Sequence, residues 1–247
     1  MRLRNIPEAK EIVESSRFVI KNPKEMKGRW KQELSRPLFI EIGMGKGRFL
    51  IETAQRHPEA DFVGVERYES VLFRACLRME GVPYSTPRDK IERAEHPERE
   101  ADFETPANLR FLSVDARELP EIFAAGEVDG IYLNFSDPWP KARHAKRRLT
   151  SRQFLSTYES YLKTGGFLIF KTDNAGLFEF SVEEITEAPH WRLVSVTRDL
   201  HRDPVLMEGN IMTEYERKFS ALGNRICRLE AVYEETEPGT QSIKSKQ

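Results

Sequence analysis

Apolar positions along this chain fall into short runs that alternate with longer stretches in which apolar residues recur three and four apart. Leu38 to Ile42 is a brief apolar run ending in glycines, and it predicts a strand. Gly47 to Arg56 carries Phe49, Leu50, Thr53 and Ala54 at helical spacing. Asp61 to Glu66 predicts a second strand, and Tyr68 to Met79 a second helix with Val71, Leu72, Ala75 and Cys76 on one face. Strand character returns at Leu109 to Val114, Gly130 to Phe135 and Phe167 to Lys171, with a helix predicted over Ser151 to Leu162. Leu193 to Val196 and a final pair, Tyr215 to Ser220 and Ile226 to Tyr233, complete the strands. Repeated strand–helix alternation specifies an α/β fold with a parallel sheet covered on both faces. The strand-rich end suggests an antiparallel hairpin at one edge.

Periodicity also sets the domain limits. Residues 1–36 mix basic, acidic and proline positions and read as an N-terminal arm with one or two short helices. The main domain spans 37–233, and a polar tail follows at 234–247. Within the domain, residues 82–107 lose periodicity, holding four prolines and seven acids, and read as a solvated polar insertion. Hydrophobic content of 39% beside 32% charged residues fits a soluble globular protein. No run approaches the roughly 20 apolar residues of a membrane helix. The opening Met1-Arg2-Leu3-Arg4-Asn5-Ile6-Pro7 lacks a signal-peptide core, which points to the cytoplasm and away from a membrane. Cys76 and Cys227 read as two reduced core thiols, with a disulfide left open. The five histidines have no metal-ligand spacing, so no metal is expected. Monomer and homodimer are both open.

The net charge of −1 gives no bulk attraction to a polyanion, but its distribution is uneven. Residues 141–152 hold Lys141, Arg143, Lys146, Arg147, Arg148 and Arg152, with His144 among them and no acid. Such a run suits the phosphates of a nucleic acid, although an isolated one is more often a solvated charge cluster.

Glu41-Ile42-Gly43-Met44-Gly45-Lys46-Gly47 leaves a strand and enters a helix. Glycines there let a ligand approach the backbone, and Glu66 ends the next strand where an acid can accept from both ribose hydroxyls. A dinucleotide fingerprint needs a third glycine where Arg48 stands. Glu41 would attract the ammonium and sulfonium of S-adenosylmethionine but repel a pyrophosphate, so this cofactor fits better. Asp115, after the third strand, is placed either to meet the adenine amine or to cap a turn. Asn134-Phe135-Ser136-Asp137-Pro138-Trp139-Pro140-Lys141 follows the fourth strand, at the edge where open α/β sheets bind ligands. Asp137 offers a carboxylate, the prolines stiffen the loop, and Trp139 offers a face for base stacking. Asp173 and Glu216 could accept from the N1–H and exocyclic amine of guanine; read singly, each serves equally as a cap or turn residue.

The segments EIGMGKGRFL, YLNFSDPWPKARHAKRRLT, FKTDNAGLFEFS and EGNIMTEYERKF resemble the bacterial tRNA (guanine-N7-)-methyltransferase family, in order, over roughly residues 1–233. The resemblance implies a Rossmann-like class I methyltransferase fold with a mostly parallel seven-stranded sheet. It implies methyl transfer from S-adenosylmethionine to N7 of guanine 46 in the tRNA variable loop, giving 7-methylguanosine and S-adenosylhomocysteine. Carried over by motif, Glu41, Gly43, Gly45, Glu66, Asp115 and Asp137 would bind the cofactor, with Asp137 also catalytic. Lys141, Asp173, Thr213, Glu214, Tyr215 and Glu216 would contact the substrate, and Arg143, His144, Lys146, Arg147 and Arg148 the RNA. The insertion at 82–107 departs from the family pattern but touches none of these positions. Two rival readings are methylation of an exocyclic base amine and a non-catalytic RNA-binding protein with the same fold.

Overall fold

The computed structural model describes residues 6–82 and 104–235. Most of the polar insertion and of the tail therefore lies outside the described residues. Seven strands form one sheet among them: β1 (Leu38–Ile42), β2 (Asp61–Val65), β3 (Leu109–Leu112), β4 (Val128–Asn134), β5 (Leu162–Thr172), β6 (Trp191–Thr197) and β7 (Cys227–Tyr233). Their spatial order is β3-β2-β1-β4-β5-β7-β6. The pairs from β3 through β5 are parallel, while β7 is antiparallel to both of its neighbours. The expected mostly parallel sheet with an antiparallel C-terminal pair is present, with β7 inserted between β5 and β6 and β6 at the edge.

Strand alternation divides the core between the two faces. Leu38, Ile40 and Ile42 join one cluster with Val63 and Val65, under helices α5 (Arg152–Glu159) and α6 (Ala175–Glu187). Phe62, Leu109 and Phe111 join the other, under α1 (Pro7–Ser15), α3 (Arg48–Arg56) and α4 (Glu69–Met79). Cys76 and Cys227 are free and buried in opposite clusters, so the open disulfide is absent.

One strand expectation fails. Tyr215 to Ser220 lies in a helix, α8 (Glu214–Ala221), which follows the short α7 (Pro204–Met207). Thr213 caps α8 by accepting from the Glu216 N–H, and Tyr215 stacks on Phe219 with ring centroids 5.7 Å apart. That pair is spaced i,i+4, the helical period, and the cap decides the local choice.

The arm is built into the domain. Phe18 and Ile20 exchange backbone hydrogen bonds with Phe111 of β3, and α2 (Trp30–Glu33) buries Trp30 against Phe123. The Trp30 indole donates to the Ile122 carbonyl at 2.9 Å, and Glu127 accepts from the amides of Gly28, Trp30 and Ala124. Trp30→Ala should therefore cost about 3–5 kcal/mol in urea unfolding. A loss below about 1 kcal/mol would show that the arm stands apart from the core.

Candidate active site

The C-terminal ends of β1, β2 and β4 meet at one edge of the sheet. Glu41 on β1 is 2% exposed, and its Oε1 accepts from Asn134 Nδ2 at 2.8 Å. Its Oε2 has no hydrogen-bond partner, nor does Oδ1 of Asn134. Burial pushes the Glu41 carboxyl up to about 8, against the opposing pull of Asn134 and Lys171, while nearby Glu66 adds to the rise. Two adjacent buried acceptors without a donor call for a ligand that brings N–H groups, and a cation suits the carboxylate best.

The loop beside them leaves room for such a ligand. Gly43 and Gly45 have φ of +79° and +60°, and no heavy atom lies within 4 Å of where a Cβ would stand. The Gly43 and Met44 amides donate to the Val65 carbonyl, and the Gly45 amide donates to Glu66 Oε2 at 3.2 Å. Glu66 also accepts from the Tyr68 amide at 2.9 Å, so its carboxylate is pinned at the end of β2. Burial raises Glu66 despite these amides. An orphaned acid, an open glycine backbone and a second fixed acid fit S-adenosylmethionine.

Asp115 caps the turn that follows β3. It accepts from the Arg117 amide, Glu118 accepts in turn from the Asp115 amide, and Arg67 pairs with Asp115 Oδ2 at 3.3 Å.

The segment after β4 is tightly bent. Phe135 and Trp139 have φ of +52° and +40°, a left-handed conformation uncommon for aromatic residues and typical of functional loops. Between them Asp137 is exposed, with no hydrogen bond or ion pair among the described residues. Trp139 is covered by Arg147 at 5.0 Å, with His144 edge-on at 5.7 Å. Lys141, Arg143, Lys146 and Arg147 are exposed and have no acidic partner among the described residues, whereas His144 and Arg148 are half-buried.

The other wall comes from the C-terminal half. Lys171, at the end of β5, is 3% exposed and donates to Glu216 Oε2 at 2.6 Å, Asn210 Oδ1 at 3.1 Å and the Ile211 carbonyl at 2.9 Å. Those three acceptors use all three ammonium protons. Glu216 Oε1 meets Asn210 Nδ2 at 2.8 Å and His201 Nε2 at 3.1 Å. Burial works to raise Glu216, but Lys171, Asn210 and His201 outweigh it and hold the carboxyl below its usual range. Glu216 is thus fully buried with both oxygens engaged. Glu214 pairs with Arg78 at 3.0 Å and Lys46 at 3.4 Å, linking the start of α8 to α4 and the glycine loop. Asp173 accepts from Asn224, while Tyr215 stays exposed and stacks with Phe135 at 6.1 Å. His201, Asn210 and Arg78 are not singled out by the sequence, and Lys171 and Lys46 stand there only within their segments, without a role of their own. Lys171 had a readable signal, since a lysine ending the apolar run Phe167 to Phe170 needs a buried acid.

Two outcomes follow from these groups. A carboxyl raised in the folded state binds its proton more tightly there than in the unfolded chain. Glu41 therefore erodes stability as pH climbs from the ordinary glutamate value of 4.5 to about 8, and the erosion is level beyond. Glu41→Gln should remove this slope, at most about 1.4 kcal/mol per pH unit, and outlast wild type in denaturant more clearly at high pH than at low pH. An equal difference at both would contradict the assignment. Lys171→Met should cost about 3–5 kcal/mol by leaving Glu216 without its cation, and adding Glu216→Leu should restore most of that in the same unfolding assay.

A methyltransferase family model, Methyltransf_4, matches residues 35–229. The tRNA (guanine-N(7)-)-methyltransferase of Lachnoclostridium phytofermentans is 47% identical over 236 residues, covering 95% of this chain and 99% of that protein. The protein of the same name from Geobacillus sp. (strain WCH70) is 47% identical, covering 94% of this chain and 96% of its own. Among solved structures, the 16S rRNA (adenine(1408)-N(1))-methyltransferase from Catenulisporales acidiphilia superposes with a TM-score of 0.55 at 16% identity, covering 87% of this chain and 94% of its own. That likeness speaks to the fold alone. With matches of this identity along nearly its whole length, the chain belongs to the tRNA (guanine-N(7)-)-methyltransferase family.

Proposed function

We propose that this protein transfers a methyl group from S-adenosylmethionine to N7 of a guanine in tRNA, guanine 46 of the variable loop, in the cytoplasm. The observation that carries the reading is the donor-free pair of buried acceptors, Glu41 Oε2 and Asn134 Oδ1, on the sheet edge that also presents the unengaged Asp137. Relatives that bear this name support the choice of acceptor.

When bound, S-adenosylmethionine supplies an electrophilic methyl group on a positively charged sulfur. Glu41 holds the cationic end, Gly43 and Gly45 admit the ligand to the backbone, and Glu66 accepts from the ribose hydroxyls. Asp115, in the turn after β3, would accept from the adenine amine beside its capping bond. Guanine N7 carries an in-plane lone pair and no proton, so Asp137 has nothing to abstract. Asp137 acts by placement, and its charge favours the positive charge that develops on the purine. Lys141, Asp173, Thr213 and Tyr215 contact the substrate. Glu214 and Glu216 hold that segment in place through their ion pairs. Arg143, His144, Lys146 and Arg147 meet the RNA phosphates, so affinity falls steeply with salt.

Incubation with labelled S-adenosylmethionine and unmodified tRNA, followed by mapping of the labelled base, tests the reading. The expected product is alkali- and reductant-labile at guanine 46, the mark of N7 methylation. Label on an amino nitrogen overturns it. Asp137→Asn should lower kcat roughly 10²-fold while leaving S-adenosylmethionine affinity near wild type. Parallel losses would reduce Asp137 to a cofactor ligand.

A further inference from the structure

Arg147 and Arg148 are adjacent and chemically identical, yet the fold turns them to different tasks. Arg147 is exposed, its guanidinium lying over the outer part of the loop at Trp139. Arg148 points inward. Its Nε donates to the Pro138 carbonyl at 3.0 Å and its Nη2 to the Trp139 carbonyl at 3.2 Å. The same guanidinium sits 4.2 Å from the ring centroid of Phe180 on α6, and the Arg148 amide donates to the Ala145 carbonyl. One planar group therefore ties a rigid helix to two consecutive carbonyls of the segment that carries Asp137.

That segment has few other supports. Pro138 and Pro140 have no amide to donate. Among the described residues, no backbone amide donates to the Pro138 or Trp139 carbonyls. The remaining ties lie at the start of the loop, where the Phe135 amide donates to the Lys171 carbonyl at 2.8 Å and its ring stacks on Tyr215. Phe135 and Trp139 hold left-handed conformations, which persist only where surrounding contacts impose them. At Trp139 the backbone is held by the hydrogen bond from Arg148, whereas Arg147 and His144 meet only the indole ring. A lysine could not replace this brace, because a single ammonium cannot fork across two carbonyls while lying flat on a ring.

We propose that Arg148 is a positioning residue for methyl transfer: it braces the Asp137 loop from beneath and does not bind RNA phosphate. The proposal rests on the function proposed above, and it divides the basic run into outward phosphate contacts and one inward strut. It also places RNA binding and the active loop on neighbouring side chains, so that phosphates gathered by Arg147 lie directly over the segment held by Arg148.

The test compares Arg148→Ala, Arg148→Lys and Arg147→Ala in the full chain, each checked for folding by circular dichroism. Amide hydrogen exchange at Phe135 and His144, the hydrogen-bonded amides that flank the loop, should accelerate severalfold in Arg148→Ala and stay near the wild-type rate in Arg147→Ala. Arg148→Ala should lower kcat roughly 10²-fold, as expected for a displaced reacting geometry, with the salt dependence of tRNA binding unchanged. Arg147→Ala should make that salt slope shallower by about 1. Arg148→Lys should fall between wild type and Arg148→Ala in both exchange and kcat, and it carries the same readouts if the alanine variant does not fold. A shallower salt slope with wild-type loop exchange in the Arg148 variants would overturn the proposal and return the residue to the phosphate contacts. If the wild-type protein methylates no tRNA, the functional reading fails, and the exchange rates still decide whether Arg148 braces the loop.

Discussion

A carboxyl group buried at the end of β1, with one oxygen lacking any donor, is the constraint around which the rest of the sheet edge is arranged. Burying an unpaired acid is costly, and the protein offsets the cost only in part through Asn134 and the field of Lys171. The edge is thus held in a state that a cationic ligand would improve. The orphaned carbonyl of Asn134 adds a second buried acceptor that lacks a donor.

Lys171 extends the influence of that constraint across the site. Its ammonium acts on Glu41 through space while it is bonded to Glu216. The end of β1 and the start of α8 therefore share one buried cation. Glu214 makes a second connection, because its partners Lys46 and Arg78 belong to the glycine loop and to α4. Burial works to raise Glu214, but Arg78 and Lys46 outweigh it and lower its pKa. The Thr213-to-Glu216 segment is consequently fixed by ion pairs to the glycine loop, α4 and the end of β5.

Much of this was readable in the chain. Short apolar runs alternating with helical spacing specified the parallel core, and the glycine loop, Glu66 and the Asp137 segment were each placed at the correct strand ends. What escaped had physical reasons. Tyr215 to Ser220 mixes aromatic and charged residues so that two-residue and four-residue periods compete, and the deciding element, the Thr213 cap, is a single hydrogen bond. The placement of β7 between β5 and β6 depends on pairing between strands distant in sequence. The Lys171–Glu216 pair spans 45 positions, so the need of Lys171 for an acid is legible locally but the identity of its partner is not. Arg148 could not be told from Arg147 by composition, because only the path of the loop determines which guanidinium faces inward.

The most direct measurement is a crystal structure with S-adenosylmethionine or S-adenosylhomocysteine bound. The account requires the ligand's amino group within about 3 Å of Glu41 Oε2, its ribose at Glu66, and its sulfur on the side of Asp137. A ligand bound elsewhere, with Glu41 Oε2 still lacking a donor, would contradict it.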